Sequence, residues 1–469
     1  MAEFLAALAE FRFWLSIAWA AYVVALGIWI LLQKHEPAAT LGWLLSLALL
    51  PLVGFLLYYL FGPRRLRRQR LRRARARCSL ESLVRGTPDP QGAGLFRLAQ
   101  ATGDMPVTSC TSVSVLPGGG AKFDTLLEAV ARAQDHIHME YYIFEPDRTG
   151  TQVRDALAER AGAGVRVRLL LDALGSARLG QRFLRPLQEV GAEVAWFHPL
   201  RLRKVLRPML NLRNHRKLVI IDGRTAFVGG VNIGDDSNER LSTAAFRDLH
   251  LHMRGRIVSW LQMLFVEDWH YAVGAVLQGA ELWPTQPAGP ITAQVLPSGP
   301  DTPWEPIHRV FVSAMERAQE RIWLSTPYFV PSEAGRMALT SAALRGLDVR
   351  LLVPRRADSR VVTWAARSYF DELLRAGVRV FEYLPRMMHS KALLVDGDTV
   401  VAGSANFDHR SFRLNFELSV LFHNRELASY LELILSGDMA QSREVPPDRR
   451  PSPVMALTEA TARLLSPLL

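Results

Sequence analysis

NHRKLVIIDGRTAFVGGVN, residues 214–232, and MHSKALLVDGDTVVAGSAN, residues 388–406, are two copies of one pattern. The first reads His215-x-Lys217, four apolar residues, Asp222, then Gly229, Gly230 and Asn232. The second reads His389-x-Lys391, four apolar residues, Asp396, then Gly403, Ser404 and Asn406. The apolar run between Lys and Asp reads as a buried strand, with Asp-Gly as a turn. Side chains alternate along a strand, so His and Lys two residues apart face the same way. Each copy offers an imidazole and an ammonium on one surface. Two copies brought together place two imidazoles and two fixed positive charges around one small volume.

The likeness extends outward from the motifs. ARAQDHIHMEYYIF (131–144) resembles ERAQERIWLSTPYF (316–329), GVRVRLLLD (164–172) resembles LDVRLLVPR (347–355), and EVGAEVAWF (189–197) resembles RAGVRVFEY (375–383). The blocks keep the same order in both halves. Each half alternates helices with short Val/Leu/Ile strands, which implies an α/β fold of two similar α-β-α layered lobes. The expected division is a first lobe over 105–283, a Pro/Gly-rich linker over 284–304 and a second lobe with the C-terminal tail over 305–469. The halves differ in the spacing from Gly to the motif His, 24 residues from Gly191 to His215 against 12 from Gly377 to His389. The extra residues, about 200–212, mix arginines with leucines and fit either a basic interfacial segment or a plain surface loop.

Such a site handles phosphate. Two lysines neutralise the non-bridging oxygens of a phosphodiester and the charge that develops on them. One imidazole attacks phosphorus to form a phosphohistidine. The other protonates the leaving alcohol and later deprotonates the incoming one. The lysines supply the charge that Mg²⁺ supplies elsewhere, so neither metal nor cofactor is expected. The pairs His136/His138 and His250/His252 lack the companion ligands of a zinc site and read as packing or surface residues. The candidate catalytic set is His215, Lys217, Asp222, His389, Lys391 and Asp396. Within it, strand parity turns Asp222 and Asp396 away from His and Lys, so they read as structural, holding the turn. Asn232 and Asn406 are placed to touch the phosphate or brace the lysines, and Ser404 has only Gly230 as its counterpart.

The chain has 469 residues, 49% apolar and 22% charged, which excludes wholesale disorder, and its two cysteines exclude a disulfide scaffold. Its net charge of +11 first suggests a polyanionic partner. Nine arginines fall between Arg64 and Arg77, however, and the rest of the chain carries 47 basic against 45 acidic residues. That is a juxtamembrane block rather than a nucleic-acid footprint, so the expected partner is an anionic membrane and not nucleic acid. Before it lie two uncharged apolar stretches, Phe13–Leu32 and Pro37–Pro63, the second expected to kink at Pro51. Each is long enough to cross a hydrocarbon core of about 30 Å. Trp14, Trp43, Tyr58 and Tyr59 suit aromatic belts. Residues 1–63 are thus expected as two transmembrane helices in a hairpin, and 64–104 as an arginine-rich linker. Positive-inside bias puts both lobes on the cytoplasmic side.

The paired HxKxxxxD motifs resemble those of the phospholipase D superfamily. The full layout, two spans, an arginine-rich link and two motifs, resembles the bacterial cardiolipin synthase family over essentially the whole chain. That resemblance implies a duplicated phospholipase D-like fold in a bacterial cytoplasmic membrane. It implies transfer of a phosphatidyl group from one phosphatidylglycerol to another, with release of glycerol through a phosphohistidine. It casts His215 as nucleophile and His389 as acid/base, though the residues leave the order open. It implies an orienting carboxylate for each histidine, Glu417 in the second half and Asp248 in the first. It also implies that the aromatics after the first strand of each half, Tyr141, Tyr142 and Tyr328, line a head-group pocket; core packing is the competing reading. The motifs leave open a phospholipase D that hydrolyses lipid or transfers to other alcohols, a membrane-tethered nuclease, and a non-catalytic lipid-binding scaffold.

Overall fold

A computed structural model describes residues 2–32, 37–61, 94–199 and 211–466. The chain forms two compact units, one built on the N-terminal helices and one on the repeat. The Arg64–Arg77 block and nearly all of the 200–212 insertion lie outside the described residues.

In the N-terminal unit, α1 runs Ala2–Leu32, and its Ala9–Leu32 portion, 24 residues, is long and apolar enough to cross a membrane. The second apolar stretch differs from expectation. It forms two short helices, α2 (Pro37–Leu49, 13 residues) and α3 (Pro51–Phe61, 11 residues). Neither alone reaches the roughly 20 residues that a straight span needs. Pro51 does more than kink the chain. It has no N–H to donate, and its fixed φ suits the first position of a new helix, so α2 stops and α3 starts there. Gly54 then lies against the Ser46 carbonyl, where a side chain would collide. Tyr58 and Trp43 pack edge-to-face at 5.1 Å in a small cluster with Ile30 and Leu47.

The repeat folds into two mixed sheets. The first half supplies β2 (Ser112–Pro117), β3 (His136–Tyr141), β4 (Arg166–Asp172), β5 (Glu193–Phe197), β6 (Leu218–Ile221), β7 (Thr225–Gly229) and β8 (Leu249–Arg254). The other sheet contains β1 (Thr108–Cys110), β9 (Ile291–Ser298), β10 (Arg321–Ser325), β11 (Asp348–Pro354), β12 (Arg379–Tyr383), β13 (Ala392–Val395), β14 (Thr399–Gly403), β15 (Glu417–His423) and β16 (Ser442–Glu444). The first sheet is ordered β2-β8-β7-β6-β3-β4-β5, and the second repeats that order as β9-β15-β14-β13-β10-β11-β12, with β1 and β16 added at its edges. In each, the three strands β3-β4-β5 or β10-β11-β12 run parallel and the others antiparallel. Duplication in sequence is therefore duplication in topology.

Two expected boundaries move. The Pro/Gly-rich stretch 284–304 contains β9 (Ile291–Ser298), which pairs with β15 along Thr292–Ser298. Its Ala293, Val295 and Leu296 are buried, so the segment is held by its apolar residues despite the flanking prolines. Likewise helix Gly94–Gly103, placed by sequence in the linker, buries Leu95, Phe96 and Ala99 in the core of the second lobe. β1, from the expected first lobe, pairs with β9. Each sheet packs its own outer helices, whereas one further core is shared by both sheets and by the helices Ile257–Val273 and Arg425–Ala440. The lobes are thus fused through a common apolar layer.

Candidate active site

His215 and Lys217 lie in extended chain immediately before β6, and His389 and Lys391 in the same place before β13. Parity holds: Arg216, between His215 and Lys217, turns away to pair with buried Asp268. These segments are stitched to the opposite half. His215 N–H donates to the Phe416 carbonyl at 2.9 Å, and Phe416 N–H donates to Arg213 at 2.8 Å. Symmetrically, His389 N–H donates to the Arg247 carbonyl at 2.7 Å, and Arg247 N–H donates to Met387 at 2.8 Å. The residues that follow Phe416 and Arg247 are Glu417 and Asp248.

The orienting carboxylates are therefore exchanged between halves. His215 Nδ1 lies 3.0 Å from both oxygens of Glu417, and His389 Nδ1 lies 2.5 Å from Asp248 Oδ2. Sequence reasoning found both acids but matched each to the histidine of its own half. A carboxylate only accepts, so Glu417 puts the proton on His215 Nδ1 and leaves its Nε2 lone pair for chemistry; His389 Nδ1 faces Asp248 in the same way, with Lys391 Nζ also 2.8 Å from it. Lys217 donates to the His215 carbonyl at 2.7 Å, and Lys391 donates to the His389 carbonyl. Lys391 also sits 3.6 Å from Asp248.

All six groups are buried. The two histidines are only 9% and 7% exposed. Burial and the neighbouring lysines push His389 down to about 4. Burial also lowers His215, against the pull of Glu417, so the neutral form of both rings is favoured. Burial, reinforced for Lys217 by Lys391, brings Lys217 to about 7; burial brings Lys391 to about 8 despite Asp248. Burial alone would raise Asp248 and Glu417, but the facing lysines and histidines outweigh it and hold both acids ionised. Two ammonium groups and two carboxylates thus face one another in one buried cluster.

The Gly230/Ser404 difference has a steric cause. Ser404 Oγ donates to Glu417 Oε2 at 2.5 Å and accepts the Leu418 N–H at 2.9 Å. In the first half the Leu249 N–H goes to Asp248 itself at 2.7 Å, and a side chain at residue 230 would collide with the Asp248 carboxylate. A longer acid with a hydroxyl brace is matched by a shorter acid with a glycine. Ser404 thus acts on Glu417.

Asp222 and Asp396 leave the catalytic set. Asp222 accepts the backbone N–H groups of Gln134, Asp135 and His136 at 2.8–3.0 Å, tying its turn to the start of β3. Asp396 does the same for Gln319, Glu320 and Arg321 before β10. Asn232 and Asn406 are buried, and their side-chain oxygens take no hydrogen bond among the described residues. Tyr142 stands edge-on to His215 at 5.0 Å, with Lys217 Nζ 5.4 Å from its ring. Tyr328 stands 6.4 Å from the His389 ring. Tyr141 does not join them: it is fully buried in the first-lobe core, because neighbouring residues at the strand end alternate faces. Among the described residues no cluster of His, Cys, Asp or Glu could hold a metal ion.

Two supports were not read from the sequence. Asp172, at the end of β4, accepts the Asn214 N–H at 2.9 Å and so fixes the residue before His215. Arg216 Nε donates to the Glu417 carbonyl at 3.1 Å, anchoring that acid from the other half. The only signal for Arg216 was a charge on the opposite face of a buried strand.

The family described as cardiolipin synthase, PLD-like domain, matches at residues 126–269 and again at 311–439, once in each half. A phospholipase D-nuclease N-terminal family matches residues 20–63. A cardiolipin synthase of Geobacillus sp. (strain WCH70) is 38% identical, over 97% of this chain and 94% of that relative. Cardiolipin synthase 2 of Bacillus anthracis is 39% identical, over 95% and 89%. The structure of a phosphatidylserine synthase from Haemophilus influenzae Rd KW20 matches with TM-score 0.62 at 14% identity, covering 80% of this chain and 100% of that one, a likeness of fold. With full-length relatives at this identity and the paired motifs in one buried site, the chain belongs to the cardiolipin synthase family of phospholipase D-like proteins.

Proposed function

We propose that the protein joins two phosphatidylglycerol molecules into cardiolipin and releases glycerol. The observation that carries this reading is the crossed pair of His–carboxylate–Lys groups, in a chain whose relatives are named cardiolipin synthases along nearly their full length. His215 Nε2 attacks the phosphorus of the first lipid. The Nε2–P bond forms as the P–O bond to glycerol breaks, and His389 gives the leaving oxygen its proton. The substrate's negative charge raises the pKa of His389 and so lets the ring carry that proton. The second lipid's hydroxyl then loses its proton to His389 and attacks phosphorus, and the N–P bond breaks. Lys217 and Lys391 face the non-bridging oxygens throughout. The near-symmetric geometry supports either order of the histidines, and we assign His215 as nucleophile. Asn232 and Asn406 brace the lysines or the phosphate, while Tyr142 and Tyr328 flank the head group.

In the same reading α1 crosses a bacterial cytoplasmic membrane, and α2 with α3 returns the chain. The arginine block then meets the anionic cytoplasmic leaflet, with the lobes on that side. This topology predicts tags at both termini on the cytoplasmic side. A re-entrant α2–α3 would instead put them on opposite sides.

The activity test is product identification from phosphatidylglycerol in detergent micelles with a chelator present. Cardiolipin and glycerol in equal amounts are expected. Phosphatidic acid alone would show a hydrolase instead.

A further inference from the structure

The halves share their chemistry but diverge beside it. After β4 the first half runs ALGSAR (173–178), and after β11 the second runs RRADSR (355–360). The first loop is tied inward. Asp172 accepts the N–H groups of Leu174 and Gly175, Ser176 bonds the Tyr142 carbonyl, and Arg178 pairs with Glu145. In the second loop Arg355, Arg356 and Arg360 are exposed, and none has a side-chain ion pair or hydrogen bond among the described residues.

These three arginines line a cleft of about 670 Å³, with Asp358, Thr363 and Trp364. Arg367 and Arg443 also border it, but both pair with buried Glu382, at 2.7 and 2.5 Å, which cancels one of their two charges. Asp358 does not cancel the remaining charge by ion pairing. Its Oδ1 accepts the Ser359 N–H and its Oδ2 accepts the Tyr328 hydroxyl, each at 2.8 Å. The helix Arg360–Arg367 begins at the cleft, and its cap Ser359 makes no side-chain bond to the first-turn N–H groups. Free first-turn amides and unpaired guanidinium forks are two independent devices for holding a phosphate. Tyr328 links the cleft to the His–Lys cluster: its hydroxyl donates to Asp358 and its ring stands edge-on to His389 at 6.4 Å. It also lies at the carboxyl end of a parallel strand, where open α/β sheets take ligands.

We propose that this cleft binds the phosphodiester of the acceptor lipid, and so selects a phospholipid over water or glycerol as the second substrate. The inference rests on the transferase reading above. The donor's phosphate occupies the lysine pair. The acceptor's own phosphate, one glycerol away from its attacking hydroxyl, needs a second cationic site, and among the described residues the arginine-lined cleft of the second half supplies one. The duplicated site gains a donor side and an acceptor side in this way.

The test uses the full chain in phosphatidylglycerol micelles and follows two reactions. One is cardiolipin formation. The other is exchange of labelled glycerol into phosphatidylglycerol, whose acceptor bears no phosphate. In the triple variant R355Q/R356Q/R360Q, cardiolipin formation falls at least roughly tenfold through a higher KM, about the value of one charge-assisted hydrogen bond. Glycerol exchange stays near the wild-type rate, which also shows that the variant is folded, and R355K/R356K/R360K recovers much of the cardiolipin activity. Equal loss of both reactions, with parallel loss of binding to anionic vesicles, would mean a general lipid contact and overturn the proposal. So would no change in either. Wild-type protein that makes only phosphatidic acid fails the transferase reading itself, before any variant is compared.

Discussion

Buried histidines serve catalysis only when something fixes the ring and its tautomer, and here that group comes from the opposite half. Glu417 holds His215 and Asp248 holds His389. Glu417→Gln keeps the shape but can donate to Nδ1 and favour the wrong tautomer. Turnover is expected to fall on the order of 10²- to 10⁴-fold, by analogy with the aspartate of a serine-protease triad. The same change in a His215→Ala background should cost almost nothing, which a double-mutant cycle reads directly. Gly230→Ser drives a side chain into Asp248 and should inactivate, whereas Ser404→Gly only frees Glu417 and should cost less. The pH dependence follows from the lysines. Their folded pKa values are depressed to about 7 and about 8, so the lysines lose their positive charge as pH rises through that window. kcat/KM for phosphatidylglycerol should decline there, and a flat profile up to pH 9 would contradict the assignment of charge. The sequence displayed every one of these residues. It could not display the exchange of carboxylates, because that depends on two backbone bridges between lobes, Asn214 with Phe416 and Arg247 with Met388.

Among the secondary-structure elements, each motif aspartate is a clamp between strands. Asp222 sits at φ 54° and Asp396 at φ 52°, in left-handed turns, with their carboxylates over the start of β3 and β10. Asp222→Ala should lower unfolding stability by about 1–3 kcal/mol, from orphaned N–H groups and the cost of a left-handed alanine. The kcat of the folded fraction should change little; a large loss of kcat at unchanged melting temperature would return Asp222 to the chemistry. Strand parity made this role legible, because it turned the aspartates away from His and Lys. Parity also explains Tyr141, the last residue of β3, which faces the core while Tyr142 just beyond the strand stands beside His215. Composition misled at Pro51 and at 284–304. Proline marks where a hydrogen bond is missing, but whether the helix bends or restarts depends on packing such as Gly54 against Ser46. Prolines flanking β9 likewise said nothing about the partners, β15 and β1, that make it a strand.

At the scale of the whole molecule, two homologous sheets with one strand order share a core and bring both motifs together. The total charge conceals the site: nine arginines in one block account for most of the +11, while the two motifs hold one buried lysine each. Replacing those nine arginines by glutamine should alter membrane orientation or surface binding while leaving turnover on short-chain, micellar phosphatidylglycerol largely intact. Loss of turnover there would place the block in the catalytic machinery. The central claim is a phosphatidyl group carried on a histidine in a site assembled from both halves. The direct measurement is an acid-sensitive, alkali-stable trap of the intermediate with ³²P-labelled short-chain phosphatidylglycerol, followed by peptide mapping. Label on the His215 peptide, accumulating in His389→Ala and absent in His215→Ala, is the result expected. Cardiolipin formed with no label on either histidine would contradict the account.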